Sequence, residues 1–204
     1  MEKEFKIVVL ISGSGSNLQS IMDACAAGKI KGRVVCVISN KADAFGLERA
    51  QKAGITALHL DHRDYSGREA YDEALVATLR EFGVELVVLA GFMRIITCVL
   101  LDAFPMRVMN IHPALLPAFP GLHAQRQALE YGAKVAGCTV HFVDCGTDTG
   151  PIIIQAAVPV LAGDTEETLS ARIQKEEHRI YPEAVRLFCE GLLKVDGRVV
   201  TVCA

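Results

Sequence analysis

Near its start the chain passes from an apolar run into a turn rich in glycine and serine. Residues 5–18 read Phe5-Lys6-Ile7-Val8-Val9-Leu10-Ile11-Ser12-Gly13-Ser14-Gly15-Ser16-Asn17-Leu18. Such a pattern predicts a buried strand, a tight turn and the first turn of a helix. Backbone N–H groups and the dipole at a helix start favour an anion, typically a phosphate.

The turn does not match a dinucleotide-binding motif. Leu18 occupies the position of the third glycine in Gly-x-Gly-x-x-Gly, and Ser39-Asn40-Lys41 provides no acidic residue after the second strand. The segment also lacks a Walker lysine. A phosphomonoester therefore fits better than NAD, and the alternative is a tight turn that binds nothing.

Apolar runs and helical patterns alternate along the first half of the chain. Predicted strands cover residues 5–11, 33–39, 55–60, 86–90 and 107–111, and predicted helices lie near 17–27, 45–53 and 66–82. Nearly continuous apolar strands between helices indicate a parallel sheet that is covered on both faces.

The pattern changes after about residue 115. Residues 135–143 and 152–160 read as consecutive strands, which favours an antiparallel pair. Residues 198–202 could add a last edge strand. We therefore predict an α/β fold, Rossmann-like in its first half, with a mostly parallel sheet flanked by helices and with antiparallel strands in its C-terminal half.

A long helix is predicted near the C-terminus. Asp164 or Thr165 would cap its start, with Glu167 placed for a capping box, and Pro182 should kink or restart it. The whole chain reads as a single domain, residues 1–204, with a phosphate-binding half of about 1–105 and a second half of about 106–204.

Composition limits the possible partners. The 204 residues are 51% apolar and 22% charged with a net charge of −3, which is typical of a globular protein and argues against nucleic-acid or membrane binding. No stretch has the roughly 20 apolar residues that cross a bilayer, and the N-terminus lacks the features of a signal peptide. We expect a cytoplasmic protein with small-molecule substrates, for which a homodimer is compatible with the sequence.

Seven cysteines are present without any Cys-x-x-Cys pair, which suggests reduced and partly buried thiols. Cys138, His141 and Cys145 could be taken for metal ligands. Cys138 and His141 would, however, face opposite sides of one strand. We therefore expect no metal.

Asn110-Ile111-His112-Pro113 ends the fifth predicted strand, where open α/β sheets bind ligands. Asn110 and His112 are two residues apart and leave the same face of the strand. An amide donor beside an imidazole could stabilise an oxyanion and move a proton, which suits acyl transfer. The alternative for His112 is a hydrogen-bonded structural role.

Two acidic residues are further candidates. Asp148 is either a turn former or a partner that favours the imidazolium form of His112. Glu177 falls on an apolar helix stripe that includes Ile173 and Ile180, where a carboxylate needs a partner or a ligand. Its alternative is a position at the margin of the stripe with the carboxylate in solvent.

Taken together, these motifs resemble the phosphoribosylglycinamide formyltransferase family. The resemblance is collinear from residue 5 to about 200 and is carried by residues 11–18, 40–47, 89–94, 110–117, 150–152 and 177–182. Two departures are Ala114, where the family often has serine, and Cys145-Gly146, where the family has a more acidic segment. The conjunction of motifs is far more specific than any one of them.

The resemblance implies an activity and a site. It implies transfer of a formyl group from 10-formyltetrahydrofolate to the amine of phosphoribosylglycinamide, without a metal. Its implied catalytic residues are Asn110, His112 and Asp148. Its implied ribotide-binding residues are Gly15, Ser16, Asn17, Gln174 and Glu177. Its implied folate-binding residues are Arg68, Met93, Arg94, Ile95, Ile96, Asn110, Val143 and Asp144.

Three rival functions stay open at this level. A formyltetrahydrofolate deformylase has the same catalytic residues but an additional N-terminal domain, and this chain is expected to begin at its first strand. A methionyl-tRNA formyltransferase would need a further RNA-binding domain and a basic surface. A catalytically silent nucleotide-binding module would have no use for Asn110, His112 and Asp148 together.

Overall fold

The computed structural model describes residues 4–203, and the chain forms two compact units that divide between Asn110 and Ile111. Residues 1–3 and 204, which belong to the predicted domain of residues 1–204, lie outside the described residues. The two units are described in turn.

The first unit contains parallel strands and the helices that connect them. Its strands are β1 (Phe5–Ile11), β2 (Gly32–Ser39), β3 (Thr56–His59), β4 (Leu86–Leu89) and β5 (Val108–His112), whose last two residues pass into the second unit. Its helices are α1 (Ser16–Ala26), α2 (Phe45–Lys52), α3 (Arg68–Glu81) and α4 (Cys98–Ala103). The strand order is β3-β2-β1-β4-β5, and neighbouring strands are parallel.

Burial explains why β1 and β4 read as apolar runs. All four residues of β4 are buried, as are the last five of β1. Because successive side chains of a strand point to opposite faces, both faces of the sheet must be covered. The predicted strands and helices of this unit are confirmed to within two residues at each end. The six-residue helix α4 was missed because it is too short to show a helical period.

The second unit is built around an antiparallel pair and a long helix. Its elements are α5 (Ala124–Tyr131), β6 (Val135–Phe142), β7 (Ile152–Pro159), α6 (Glu166–Cys189), β8 (Leu193–Asp196) and β9 (Val199–Val202). Strands β6 and β7 are antiparallel, as predicted, β9 runs parallel to β7, and β8 and β9 form a hairpin. The α/β class, with parallel strands first and antiparallel strands later, is therefore confirmed.

Helix α6 corrects two details of the sequence analysis. The capping box pairs Thr165 with Thr168 and does not use Glu167, because the helix begins at Glu166 and its third residue is Thr168. Pro182 does not restart the helix, which is continuous through that position. A buried face, with Ile180 and Ala184 fully inaccessible, offsets the backbone hydrogen bond that proline removes.

Within residues 4–203, no helix combines the length and apolarity that a membrane span requires.

Candidate active site

The turn at residues 12–17, named here the glycine turn, links β1 to α1. Gly15 precedes the helix with φ +68°, a left-handed conformation that favours glycine. A Cβ on Gly15 would lie 2.7 Å from the Cα of Gly46, so the close approach of α2 also requires glycine there. The Gly46 N–H donates to the Gly13 carbonyl at 3.0 Å, and Arg49 Nε donates to the Ser14 carbonyl at 2.9 Å.

The electrostatics of the glycine turn favour an anion. The first N–H groups of α1 have no carbonyl partner inside the helix, and the first turn of α1 contains no acidic residue. The positive end of the helix dipole adds to this preference. Ser16 and Asn17, which the sequence analysis assigned to a phosphate, lie half-buried in this first turn.

Residues 93–97, named here the 93–97 segment, follow β4 without regular secondary structure. Its large apolar side chains Met93 and Ile95 are 61% and 57% exposed, whereas Ile96 is buried. The Nε of Arg94 is buried and has no hydrogen-bond partner among the described residues. Arg68, the exposed first residue of α3, lines a surface depression together with Thr97.

Strand β5 carries Asn110 and His112 two positions apart. Asn110 is half-buried and pairs in register with Leu89 of β4, whereas His112 is 4% exposed. Pro113 follows the strand directly, and it restricts the residue before it to extended backbone.

His112 lies against Asp148 in the second unit. Its Nδ1 is 3.3 Å from the Oδ2 of Asp148, and its Nε2 is 2.8 Å from the carbonyl oxygen of Phe119. A carbonyl oxygen only accepts, so Nε2 carries a hydrogen. Both ring nitrogens face oxygen acceptors, which suits the doubly protonated imidazolium. The structure thus brings together two side chains that are 36 positions apart in the sequence.

A second imidazole lies on the other side of Asp148. The Nε2 of His141 is 3.8 Å from Oδ1 of Asp148, and its Nδ1 is 2.8 Å from the carbonyl oxygen of Phe142, to which it donates. His141 is 2% exposed, and this burial lowers its pKa. From the sequence, His141 was interpreted only as a candidate metal ligand. We call His112, His141 and Asp148 the imidazole cluster.

Backbone geometry places the carboxylate of Asp148. Asp148 has φ +55°, which aspartate tolerates better than most residues, and its Oδ2 accepts from the Gly121 N–H at 2.8 Å. Two residues later, a Cβ on Gly150 would lie 1.8 Å from the Phe142 carbonyl oxygen. The loop can therefore fold back on β6 only with glycine at position 150.

The remaining predicted residues differ in burial. Glu177 is 9% exposed on α6, so its position on the inward stripe is confirmed, whereas Gln174 on the preceding turn is exposed. Val143 and Asp144 follow β6 and are half-buried. Asp144 Oδ1 accepts from the Thr149 hydroxyl at 2.6 Å and so braces the loop that carries Asp148.

The cysteines differ in state. Cys25, Cys36, Cys138, Cys189 and Cys203 form no disulfide, and burial raises the pKa of Cys36 and of Cys138 to about 12. Cys98 and Cys145 are disulfide-bonded, so the expectation of reduced thiols is wrong for these two. Spacing in the sequence does not reveal which thiols become oxidised. Among residues 4–203, no group of three or more His, Cys, Asp and Glu side chains is arranged to hold a metal ion.

Comparison with known proteins identifies the family. Residues 5–185 match the family model described as formyl transferase. The phosphoribosylglycinamide formyltransferase of Escherichia coli is 53% identical over 189 residues, which cover 93% of this chain and 89% of that protein. The chain belongs to the phosphoribosylglycinamide formyltransferase family. It is therefore a formyl-transferring enzyme, and the resemblance inferred from its motifs is confirmed.

Other family members show that the fold of this chain occurs in proteins of different length. The crystal structure of glycinamide ribonucleotide transformylase 1 from Symbiobacterium toebii is 61% identical, with a TM-score of 0.98 over 100% of this chain and 96% of that one. The human trifunctional purine biosynthetic protein adenosine-3 is 44% identical over 97% of this chain, which corresponds to 20% of that protein. The family fold thus occurs both as a separate chain and as part of a larger protein.

Proposed function

We propose that the enzyme transfers the formyl group of 10-formyltetrahydrofolate to the amine of 5′-phosphoribosylglycinamide. The products are 5′-phosphoribosyl-N-formylglycinamide and tetrahydrofolate, in de novo purine biosynthesis. The observation that carries this proposal is His112, whose two ring nitrogens face oxygen acceptors and whose Nδ1 is 3.3 Å from Asp148. The names of its relatives support the choice of substrates.

Two groups of residues are proposed to bind the ribotide. Gly15, Ser16 and Asn17 would hold its 5′-phosphate, which the anion preference of the glycine turn supports. Gln174 and Glu177 would bind the remainder of the ribotide. A carboxylate that is 9% exposed, as Glu177 is, suits an amine or a hydroxyl group as its partner.

The folate is assigned mainly to the 93–97 segment. The exposed side chains of Met93 and Ile95 offer apolar contact to a flat ring, and the buried Nε of Arg94 offers a donor. Arg68 supplies an exposed positive charge for an anionic part of the folate. The complete set of folate-binding residues in this proposal is Arg68, Met93, Arg94, Ile95, Ile96, Asn110, Val143 and Asp144.

The proposed reaction is an acyl transfer through a tetrahedral intermediate. The ribotide amine attacks the formyl carbon, and the carbonyl oxygen becomes an oxyanion. The amide of Asn110 and the positive charge of protonated His112 stabilise this oxyanion. Asp148 holds the orientation and positive charge of His112. The bond between the formyl carbon and N10 of the folate then breaks, while a water molecule carries the amine proton to N10. No metal takes part.

The decisive experiment separates transfer from hydrolysis. The protein is incubated with 10-formyltetrahydrofolate, with and without phosphoribosylglycinamide and in the presence of a chelator, while tetrahydrofolate, formate and the formylated ribotide are measured. We expect slow turnover without the ribotide, and equal amounts of tetrahydrofolate and formylated ribotide with it. Formate released at the same rate in both cases would show a deformylase instead.

The partners in this proposal are the two small molecules alone. It requires neither nucleic acid nor a membrane, and a homodimer is compatible with it. The proposed location is the cytoplasm.

A further inference from the structure

The 93–97 segment is held at both ends by buried polar side chains from other parts of the first unit. Ser12 is 5% exposed and binds the start of the segment, while Asp72 is 1% exposed and binds its end. Neither side chain belongs to the folate-binding set assigned above.

Ser12 holds the first residue of the segment. Its hydroxyl oxygen accepts from the Met93 N–H at 2.8 Å, and the same hydroxyl donates to Oδ1 of Asn40 at 2.6 Å. Asn40 is itself 4% exposed. Because Ser12 is also the first residue of the glycine turn, one hydroxyl links that turn to the 93–97 segment.

Asp72 holds the last residue of the segment. Its Oδ2 accepts from the backbone N–H of Thr97 at 2.6 Å and from the Thr97 hydroxyl at 2.7 Å. Burial raises the pKa of Asp72, while the Thr97 hydrogen bonds and the charge of Arg94 act in the opposite direction. Because Oδ2 already accepts two hydrogen bonds, a proton on Asp72 would be bound to its other carboxyl oxygen. The contacts with Thr97 therefore do not depend on the protonation of Asp72.

Buried polar groups thus anchor the two ends of the segment, while its side chains Met93 and Ile95 face outward. Met93 and Ile95 are more than half exposed, although the burial of large apolar side chains stabilises a folded protein. Folding stability alone would favour burying these side chains. A site that binds the ring system of a ligand, by contrast, requires apolar side chains on a fixed backbone.

We propose that Ser12 and Asp72 are positioning residues for the folate co-substrate, because they fix the two ends of the segment that presents Met93 and Ile95. This inference rests on the folate assignment of the proposed function. Asp72 acts on the folate alone, through Thr97. Ser12 acts on both substrates, through Met93 on one side and through the glycine turn on the other.

The test measures the binding of each small molecule separately. Calorimetric titration with tetrahydrofolate, and in a second series with phosphoribosylglycinamide, is applied to the wild type and to the variants Asp72→Ala, Thr97→Val, Thr97→Ser and Ser12→Ala. The matched control is Thr78→Val, since the Thr78 hydroxyl also donates a 2.9 Å hydrogen bond within α3 but lies outside the segment.

We expect Asp72→Ala to raise the Kd of tetrahydrofolate on the order of 10-fold, as the loss of hydrogen bonds to a carboxylate implies, with the ribotide Kd changed less than about 2-fold. Thr97→Val should show the same selectivity with a smaller shift, and Thr97→Ser should restore wild-type binding. Ser12→Ala should weaken both ligands, and Thr78→Val neither.

Two results would overturn the inference. One is unchanged tetrahydrofolate binding in folded Thr97→Val and Asp72→Ala, with folding checked by circular dichroism. The other is an equal loss of both ligands in these variants, which would indicate general loosening. If Asp72→Ala does not fold, the Kd values of Thr97→Val for the two ligands test the inference instead. A wild type that binds no tetrahydrofolate would instead refute the proposed function itself.

Discussion

The glycine turn and the imidazole cluster are built from different parts of the chain. The turn consists of six consecutive residues, and its functional groups are backbone N–H groups at the start of α1. The cluster consists of side chains from positions 112, 141 and 148, which come from two strands and a loop. The turn is thus local and made of backbone, whereas the cluster is non-local and made of side chains.

This difference determines how each region can fail. A backbone site loses its shape when a side chain is forced into it, as a Cβ on Gly15 would be at 2.7 Å from the Cα of Gly46. A side-chain site loses its chemistry when one functional group is removed or changes its protonation. Three predictions test this distinction, starting with the largest expected effect.

Removal of the His112 imidazole should abolish most of the chemistry and leave ribotide binding intact. We expect His112→Ala to lower kcat about 100-fold to 1,000-fold, as the loss of one preorganised group that stabilises an oxyanion does. Asp148→Asn should also lower kcat steeply, because it keeps the shape and loses the charge beside His112. Steady-state rates give kcat, and calorimetry gives the ribotide Kd. A ribotide Kd that rose in proportion to the loss of kcat would contradict the separation of the two regions.

The glycine turn should respond in the opposite way. Gly15→Ala adds a Cβ at φ +68° that would lie 2.7 Å from the Cα of Gly46, so the turn must move. We expect the KM of the ribotide to rise on the order of 10-fold, because the N–H groups of a displaced turn no longer point at the position of the phosphate. The KM of the folate should change much less.

Two other glycines provide matched controls for this prediction. Gly28 has the same φ of +68° with nothing near its added Cβ, and Gly13 has neither a positive φ nor a close neighbour. Gly28→Ala should therefore cost stability without raising the ribotide KM, and Gly13→Ala should cost little of either. Equal KM increases for both substrates in Gly15→Ala would refute the phosphate assignment.

The fold was predictable because its signals are local. Strands β1 and β4 of the first unit are apolar runs that the burial of both sheet faces explains, and the antiparallel pair β6 and β7 followed from two strands in succession. The glycine turn was predictable for the same reason. What was missed lacks a periodic signal, namely the short helix α4 and the hairpin partner β8.

The contacts of the site were not predictable from residue patterns. Nothing in the spacing of His112 and Asp148 shows that they meet, and the resemblance alone joined them. His141 was considered only as a metal ligand, because a histidine in a buried strand gives no sign of what faces it. The anchors Ser12 and Asp72 escaped notice since a buried hydrogen bond has no sequence pattern.

The smallest predicted effect concerns the pH dependence of stability. Burial lowers the pKa of His141 in the folded protein, whereas an unfolded histidine titrates near pH 6.5. Below about pH 6.5 the unfolded chain therefore binds a proton that the folded protein excludes, and stability falls as the pH falls towards the folded pKa. His178, whose pKa is also lowered by burial, contributes with the same sign. The glycine turn has no titratable side chain and contributes nothing to this dependence of stability on pH.

His141→Gln should remove part of the loss of stability at low pH and leave the part due to His178. Denaturant unfolding at pH 7.0 and pH 5.5 should show that the wild type loses more stability than the variant, by up to about 1.4 kcal/mol for each unit of pKa shift. The carboxylates near His141, Asp148 and Asp144, are kept in the variant, so the difference isolates the imidazole. If His141→Gln lost as much stability as the wild type, the folded protein would admit the proton, and protonated His141 beside Asp148 would have to be treated as a second cation of the imidazole cluster.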